Sequence, residues 1–170
     1  AAMASVRRAY GLEGRAFEVV PNGIQPTFFE GKWSGECSEE VLFFGRLAHD
    51  KGVDLLLDAA QDFSFRIHIV GRGDAEEALK RKAVELGMEQ RVRWTPWLGP
   101  TDLREAIEKS LLVVLPSRHE SFGNAMAETL AVGAPLVTTK AGSIPGVVGD
   151  CAVMAQVNCV ESLREEIKKA

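Results

Sequence analysis

The sequence predicts a doubly wound α/β domain, a mostly parallel sheet with helices on both faces. Short apolar runs at 41–44, 65–70 and 111–115 alternate with longer amphipathic stretches, the pattern of strands buried on both sides beneath crossover helices. Each run stops at a residue that ends strands and opens turns: Gly45, Gly71 and Pro116. A chain of 170 residues, 46% hydrophobic and 26% charged, has the composition of a globular protein. By surface scaling it buries about 70% of its unfolded surface, enough for one self-sufficient core.

In chain order, Phe17-Glu18-Val19-Val20 reads as a strand stopped by Pro21-Asn22-Gly23, and a turn-rich linker leads to the strand at 41–44. Leucines and alanines at helical spacing predict a helix over 53–60, and the run at 65–70 returns to strand. A charged helix over 75–86 closes at Gly87. The unit then repeats, with a short strand at 91–94, a helix capped by Thr101 and running to Lys109, and a central strand at 111–115. A helix over 123–132, a strand at 135–138, a glycine-rich loop at 142–149, a strand at 152–154 and a closing helix from Val160 complete the chain.

Lys and Arg number 20 against 24 Asp and Glu, a net charge of -4 with no continuous basic stripe, so nucleic acid is not an expected partner. The longest purely apolar stretch, at 111–116, falls far short of the roughly 18 residues of a membrane span, and no apolar signal core opens the chain. A cytoplasmic protein is expected. Cys37, Cys151 and Cys159 form no Cys-x-x-Cys pair, and their odd number argues against a disulfide framework or zinc knuckle; all three are expected to be packing residues. The opening Ala1-Ala2-Met3-Ala4-Ser5 reads as a cut end, so the chain is expected to be part of something larger.

In open parallel sheets ligands bind beyond the carboxyl ends of the strands, which directs attention to the loops after Phe44, Val70, Leu115 and Thr138. Arg46 and Lys51 bracket the first loop, where two cations can neutralise a diphosphate without a metal, although alone they fit a solvated loop equally. Gly71-Arg72-Gly73 places glycines at a strand-to-helix turn, letting backbone come close to a ligand and leaving helix amides free. A dinucleotide site would need Gly-x-Gly-x-x-Gly and a P-loop Gly-x-x-x-x-Gly-Lys-Ser/Thr; neither occurs, which argues against nicotinamide and kinase chemistry.

The sharpest constellation is Glu120-Ser121-Phe122-Gly123-Asn124-Ala125-Met126-Ala127-Glu128, two carboxylates eight positions apart across a loop-helix junction. Amides at the helix start favour phosphate, and the carboxylates can accept hydrogen bonds from sugar hydroxyls. The bland alternative makes Glu120 a helix cap and Glu128 an exposed helix residue.

These residues carry a resemblance. The chain resembles the carboxyl-terminal, donor-binding domain of retaining glycosyltransferases of the GT4 family, one Rossmann-like half of the two-domain GT-B fold. The resemblance runs in order over Val20-Pro21-Asn22-Gly23-Ile24, Phe44-Gly45-Arg46-Leu47 with Lys51-Gly52, Val70-Gly71-Arg72-Gly73, Arg91-Val92-Arg93-Trp94, Pro116-Ser117 and the Glu-x7-Glu motif. It implies that Arg46 and Lys51 hold the donor diphosphate in place of a metal and that Glu120 lies beside the donor sugar. Ser121, Phe122, Gly123 and Asn124 would line the donor site, with amides offered to sugar and phosphate. Glu128 would take the ribose hydroxyls, Gly45, Gly71 and Gly73 would lie along the donor, and the base would stack near Arg93 to Trp97. The donor would be a hexose linked to UDP, GDP or ADP, with no cofactor and no metal. Residues 1–33 would form the interdomain connector and first strand and 34–170 the donor domain. An amino-terminal acceptor domain would lie outside this chain, and any peripheral membrane contact would be made through it.

Two departures bear on the donor. Gly146 stands where the family's glycine-rich loop usually carries a carboxylate, and Trp94-Thr95-Pro96-Trp97 replaces a small glycine turn, so sugar and nucleotide stay open. His119 is expected to pack or wall the pocket, and His49 and His68 to be structural. A non-catalytic nucleotide-sugar-binding or regulatory module remains the alternative.

Overall fold

A computed structural model describes residue 11 and residues 22–34 and 39–170. Six strands, β1 (Glu40–Phe44), β2 (Arg66–Val70), β3 (Val92–Thr95), β4 (Leu112–Leu115), β5 (Leu136–Thr139) and β6 (Val153–Ala155), form one sheet in the order β3-β2-β1-β4-β5-β6. Every pairing is parallel. The central strands β1, β4 and β5 are buried almost throughout, which is why they read as unbroken apolar runs rather than alternating ones.

The crossover helices are α1 (Val53–Ala59), α2 (Glu76–Glu85), α3 (Pro100–Lys109), α4 (Asn124–Val132), α5 (Ile144–Val148) and α6 (Val160–Lys169). α1 packs against α2 and α6, whereas α4 packs against α3 and α5, giving two helical groups around the sheet. Strand order reverses between β1 and β4, so the loops that follow these two strands diverge and leave a crevice at their carboxyl ends.

A 3-10 turn at Pro26–Glu30 docks on α3 and α4. Phe28 is buried there, and Trp33 donates from its backbone to the Val132 carbonyl at 3.0 Å and from its ring nitrogen to the Ser110 carbonyl at 2.9 Å.

The elements agree with the sequence reading except at a few positions. α3 is capped by Gly99 and not by Thr101, because Pro100 takes the first helical position, where its missing N–H costs nothing and its fixed φ suits the helix. The loop expected at 142–149 contains α5, held down by the buried Ile144 and Val148. The cysteines are not core packing residues: Cys151 is exposed, and Cys159 is partly exposed, its sulfur accepting from the Ser162 amide at 3.5 Å at the start of α6. Cys37 and the strand at 17–20 lie outside the described residues. Among the described residues no helix is long and apolar enough to cross a membrane.

Candidate functional site

The loop after β1 is shaped by close backbone approaches that only glycine permits. A Cβ on Gly71 would stand 1.9 Å from the Gly45 carbonyl oxygen, and one on Gly73 would stand 2.1 Å from that of Leu47. The loops after β1 and β2 therefore lie backbone to backbone, with the Leu47 amide donating to Arg72 at 2.8 Å and the Ala75 amide to Leu47 at 3.0 Å. This changes the reading of the Gly-x-Gly turn. Its glycines serve loop-loop contact first, and the Gly71, Ala75 and Glu76 amides are bonded to protein.

Beyond Leu47 the chain makes a 3-10 turn, His49–Lys51, closed by Gly52 in the left-handed region at φ 69°. A Cβ on Gly52 would stand 2.1 Å from the Pro116 carbonyl oxygen, so the turn sits directly on the loop after β4. That contact brings Lys51 to Glu120: Nζ donates to Oε1 at 2.5 Å, and Ser117 Oγ donates to the same oxygen at 3.3 Å. The two side chains are only 20% and 13% exposed. Arg46 lies further out, 64% exposed, with its Nη2 on both Asp50 oxygens at 3.1 and 3.0 Å.

Glu120 is also fixed from the other side. The Ser143 amide donates to its carbonyl at 3.3 Å, and Ser143 Oγ donates to the Phe122 carbonyl at 3.0 Å. Gly142, at φ 53°, allows this approach, since a Cβ there would stand 2.2 Å from the Glu120 carbonyl oxygen. No side chain caps α4, whose N-cap is Gly123 at φ 100°. Glu120 is thus not the helix cap of the bland alternative, and the first turn of α4 keeps its amides clear of a capping side chain.

These loops enclose a cavity of about 360 Å³ lined by Gly45, Arg46, Lys51, Ser117, Glu120 and Ser121, and by Phe122, Gly123 and Asn124 at the start of α4. A second cavity, about 610 Å³, shares Phe44, Gly45 and Arg46 with the first and continues past Gly71 and Arg72 to Pro96, Trp97, Leu98 and Leu103. The two form one cleft along the sheet edge. The expected donor residues Arg46, Lys51, Glu120, Ser121, Phe122, Gly123, Asn124, Gly45, Gly71 and Trp97 all line it; Gly73 and Glu128 line neither part.

Glu128 lies one turn beyond Asn124 on α4, half-buried, and among the described residues its carboxyl has no hydrogen-bond or ion-pair partner. Burial pushes it up to about 7. Of the tract at 93–97, Pro96 and Trp97 reach the cleft. Arg93 instead pairs with Glu40 at 2.6 Å and donates to His68 Nδ1 at 2.9 Å. Burial and then the Arg93 charge push His68 down to about 4 against the pull of Glu40, and its Nε2 meets Thr95 Oγ1 at 2.8 Å, so it is a structural residue. His119 neither packs nor walls the cleft; it is exposed and lines neither cavity.

Two residues escaped the sequence reading. Asn22 lines the first cavity and donates from Nδ2 to Asn124 Oδ1 at 3.3 Å; its Pro-Asn-Gly turn reads as a strand stop and as part of the resemblance, with no site role given to it. Arg118 binds Asp54 through both terminal nitrogens at 2.7 Å, and no local spacing reveals a partner 64 positions away. Burial raises the Asp54 carboxyl, and the Arg118 hydrogen bonds and charge outweigh it, holding that carboxyl below its ordinary value. Among the described residues no three His, Cys, Asp or Glu side chains are grouped to hold a metal ion.

A cleft at a sheet's switch point, with cations facing a helix amino end, is the construction by which doubly wound α/β domains receive phosphorylated ligands. The chain belongs to the family of glycosyl transferases group 1, which matches residues 26–170. It is 31% identical over 164 residues to a D-inositol 3-phosphate glycosyltransferase from Acidothermus cellulolyticus, a match covering 83% of this chain and 37% of that protein. It is 32% identical over 165 residues to a mannosylfructose-phosphate synthase from Agrobacterium fabrum, covering 79% and 35%. The chain therefore spans about a third of the length of the curated relatives it matches. Among solved structures it is similar to sucrose-phosphate synthase from Thermosynechococcus elongatus, with a TM-score of 0.84 at 17% identity over 98% of this chain and 46% of that one. It is also similar to HepE from Anabaena, solved in complex with UDP and glucose, with a TM-score of 0.77 at 22% identity over 98% and 51%. The fold is that of the carboxyl-terminal half of GT-B glycosyltransferases, as expected.

Proposed function

We propose that this chain is the donor-binding domain of a retaining GT4-type glycosyltransferase that moves a hexose from a nucleoside-diphosphate sugar to an acceptor hydroxyl without a metal ion. The observation that carries this reading is the Lys51–Glu120 pair, 2.5 Å apart beside Arg46, facing the uncapped start of α4. As the glycosidic bond breaks, negative charge gathers on the departing diphosphate. Lys51, Arg46 and the first-turn amides of α4 line one cavity, so in this reading they stabilise that charge together. Glu120, held on Lys51, sits where the sugar ring turns positive.

The rest of the cleft divides the donor along its length. Glu128 lies outside the cleft lining, one turn further along α4, and in this reading it accepts the ribose hydroxyls, giving a partner to a half-buried carboxyl that has none among the described residues. The base lies over Pro96, Trp97 and Leu98. The UDP and glucose of the HepE structure support a donor of this class.

Residues 1–33 serve as connector and 34–170 as donor domain in this reading, and the acceptor arrives on a preceding domain, attacking from the face the diphosphate leaves. The enzyme is placed in the cytoplasm, with any membrane contact made by that other domain. Calorimetric titration of the 170-residue chain with UDP, GDP and ADP, each with and without an attached hexose, tests the reading. Saturable binding of one nucleotide, lost in Lys51→Ala, is expected; a folded chain that binds none of them overturns it.

A further inference from the structure

We infer that Arg118 is the positioning residue of this site, a clamp that sets Lys51 against Glu120 without touching the donor. Arg118 lies two residues before Glu120, and its main partner Asp54 lies three residues after Lys51. The Arg118–Asp54 and Lys51–Glu120 pairs therefore form two rungs between the loop after β4 and the segment running from Lys51 into α1, one outside the cleft lining and one inside it.

All three guanidinium nitrogens of Arg118 are engaged. Nη1 and Nη2 each donate to one Asp54 oxygen at 2.7 Å, Nη1 also donates to the His49 carbonyl at 2.8 Å, and Nε donates to Asn158 Oδ1 at 2.9 Å. The planar fork of a guanidinium suits such a set, and an ammonium does not reproduce it. The Arg118 amide adds a fourth tie to this loop, donating to the Asp50 carbonyl at 2.7 Å. His49 and Asp50 are the two residues immediately before Lys51, so the contacts fix the turn from which Lys51 projects.

Asn158 brings in a third element. It is the non-glycine residue with positive φ among the described residues, at 58°, in the turn between β6 and α6. Asparagine tolerates that conformation better than most residues, and here its side-chain oxygen faces Arg118 as a result. Arg118 thus gathers the loops after β1, β4 and β6 at one point. With its side chain 15% exposed and absent from both cavity linings, it acts through Lys51 and Glu120 rather than on a ligand.

The inference rests on the donor-site reading, and its test separates the two. Removing the clamp frees the turn that carries Lys51, so the loss falls on the diphosphate and not on the nucleoside. In calorimetry on the 170-residue chain, Arg118→Met is expected to weaken UDP, GDP or ADP, whichever binds, by about tenfold, a coupling of about 1.4 kcal/mol, and to leave the matching monophosphate within about twofold. Asn158→Ala, which removes one bond of the set, is expected to give the same split at smaller size and serves if Arg118→Met does not fold. Equal losses for mono- and diphosphate mean general loosening and overturn the clamp. If the unsubstituted chain binds no nucleotide, the donor reading fails and the clamp is judged by the crystal structure of the variant: Lys51 Nζ still bonded to Glu120 overturns it, and separation of the two supports it.

Discussion

The two ends of the cleft are built by opposite means. At the Lys51 end, backbone contacts and a short hydrogen bond set the geometry: a Cβ would stand 2.1 Å from backbone at Gly52 and 2.2 Å at Gly142, and Lys51 meets Glu120 at 2.5 Å. At the Trp97 end the walls are side-chain surface, Pro96, Leu98 and Leu103 around an indole that is 73% exposed. Fixed dipoles and charges stabilise a developing charge only if they need not move, whereas a stacking surface tolerates many flat partners. Under the proposed function, the comparison assigns the reaction chemistry and the choice of nucleotide to separable parts of one domain, so that the second could vary without disturbing the first.

The strongest way to break this comparison is at its rigid end. Lys51→Ala removes a cation and leaves the Glu120 carboxylate, 13% exposed, without its partner and facing the incoming phosphates. Truncating one member of a buried hydrogen-bonded charge pair costs several kcal/mol, so affinity for nucleoside diphosphate is expected to fall on the order of 100-fold. Calorimetry reads the loss directly, and retained affinity would show that the wired end is scaffold alone.

Glu128 gives the next effect, and it sharpens the boundary between the ends. Its carboxyl stands at about 7 in the folded protein against 4.5 for an ordinary glutamate, because burial disfavours its charge. The folded protein keeps that proton where the unfolded chain has released it. Stability is therefore lost as pH rises from about 4.5 to about 7 and is not regained above. Glu128→Gln removes the titration, and at pH 8 it is expected to stabilise the chain by about 1–3 kcal/mol, the gain shrinking as pH falls and vanishing near 4.5. Denaturant melts across that range check the slope. The same variant is expected to bind nucleoside diphosphate more weakly, since one carboxylate oxygen no longer accepts a ribose hydroxyl; tighter binding would remove Glu128 from the donor site.

The sequence reading recovered the sheet and the rigid end of the cleft more fully than the rest, for physical reasons. Strands such as β1 and β4 are buried on both faces, so their apolar runs survive any detail of packing, and Arg46, Lys51 and Glu120 occupy loops whose position beyond the strand ends follows from parallel topology. The Gly-x-Gly turn after β2 was read for a ligand because a close backbone approach leaves the same residue type whichever partner approaches; here the partner is the Gly45–Leu47 backbone. The contacts of Arg118 and Asn22 were illegible because their partners are 64 and 102 positions distant, and no local periodicity encodes such contacts. The resemblance put Arg93 to Trp97 at the base, but alternation along β3 turns Arg93 to Glu40 and His68.

The smallest expected effect lies at the adaptable end. Trp97 is largely exposed and lies after β3, so replacing it removes little folded-state contact, and Trp97→Ala is expected to change stability by no more than about 0.5 kcal/mol. Base-aromatic stacking is worth about 1–3 kcal/mol, and an indole this open to water should return the low end of that range, about a fivefold loss of nucleoside diphosphate affinity. Inorganic pyrophosphate separates the two ends, because it carries the charges that Arg46 and Lys51 receive and has no base to stack. Its binding should be unchanged in Trp97→Ala and weakened in Lys51→Ala. Were pyrophosphate and nucleotide to weaken together in Trp97→Ala, the indole would be supporting Arg46 across Gly45 and Gly71, and the cleft would be one cooperative site instead of two independent ends.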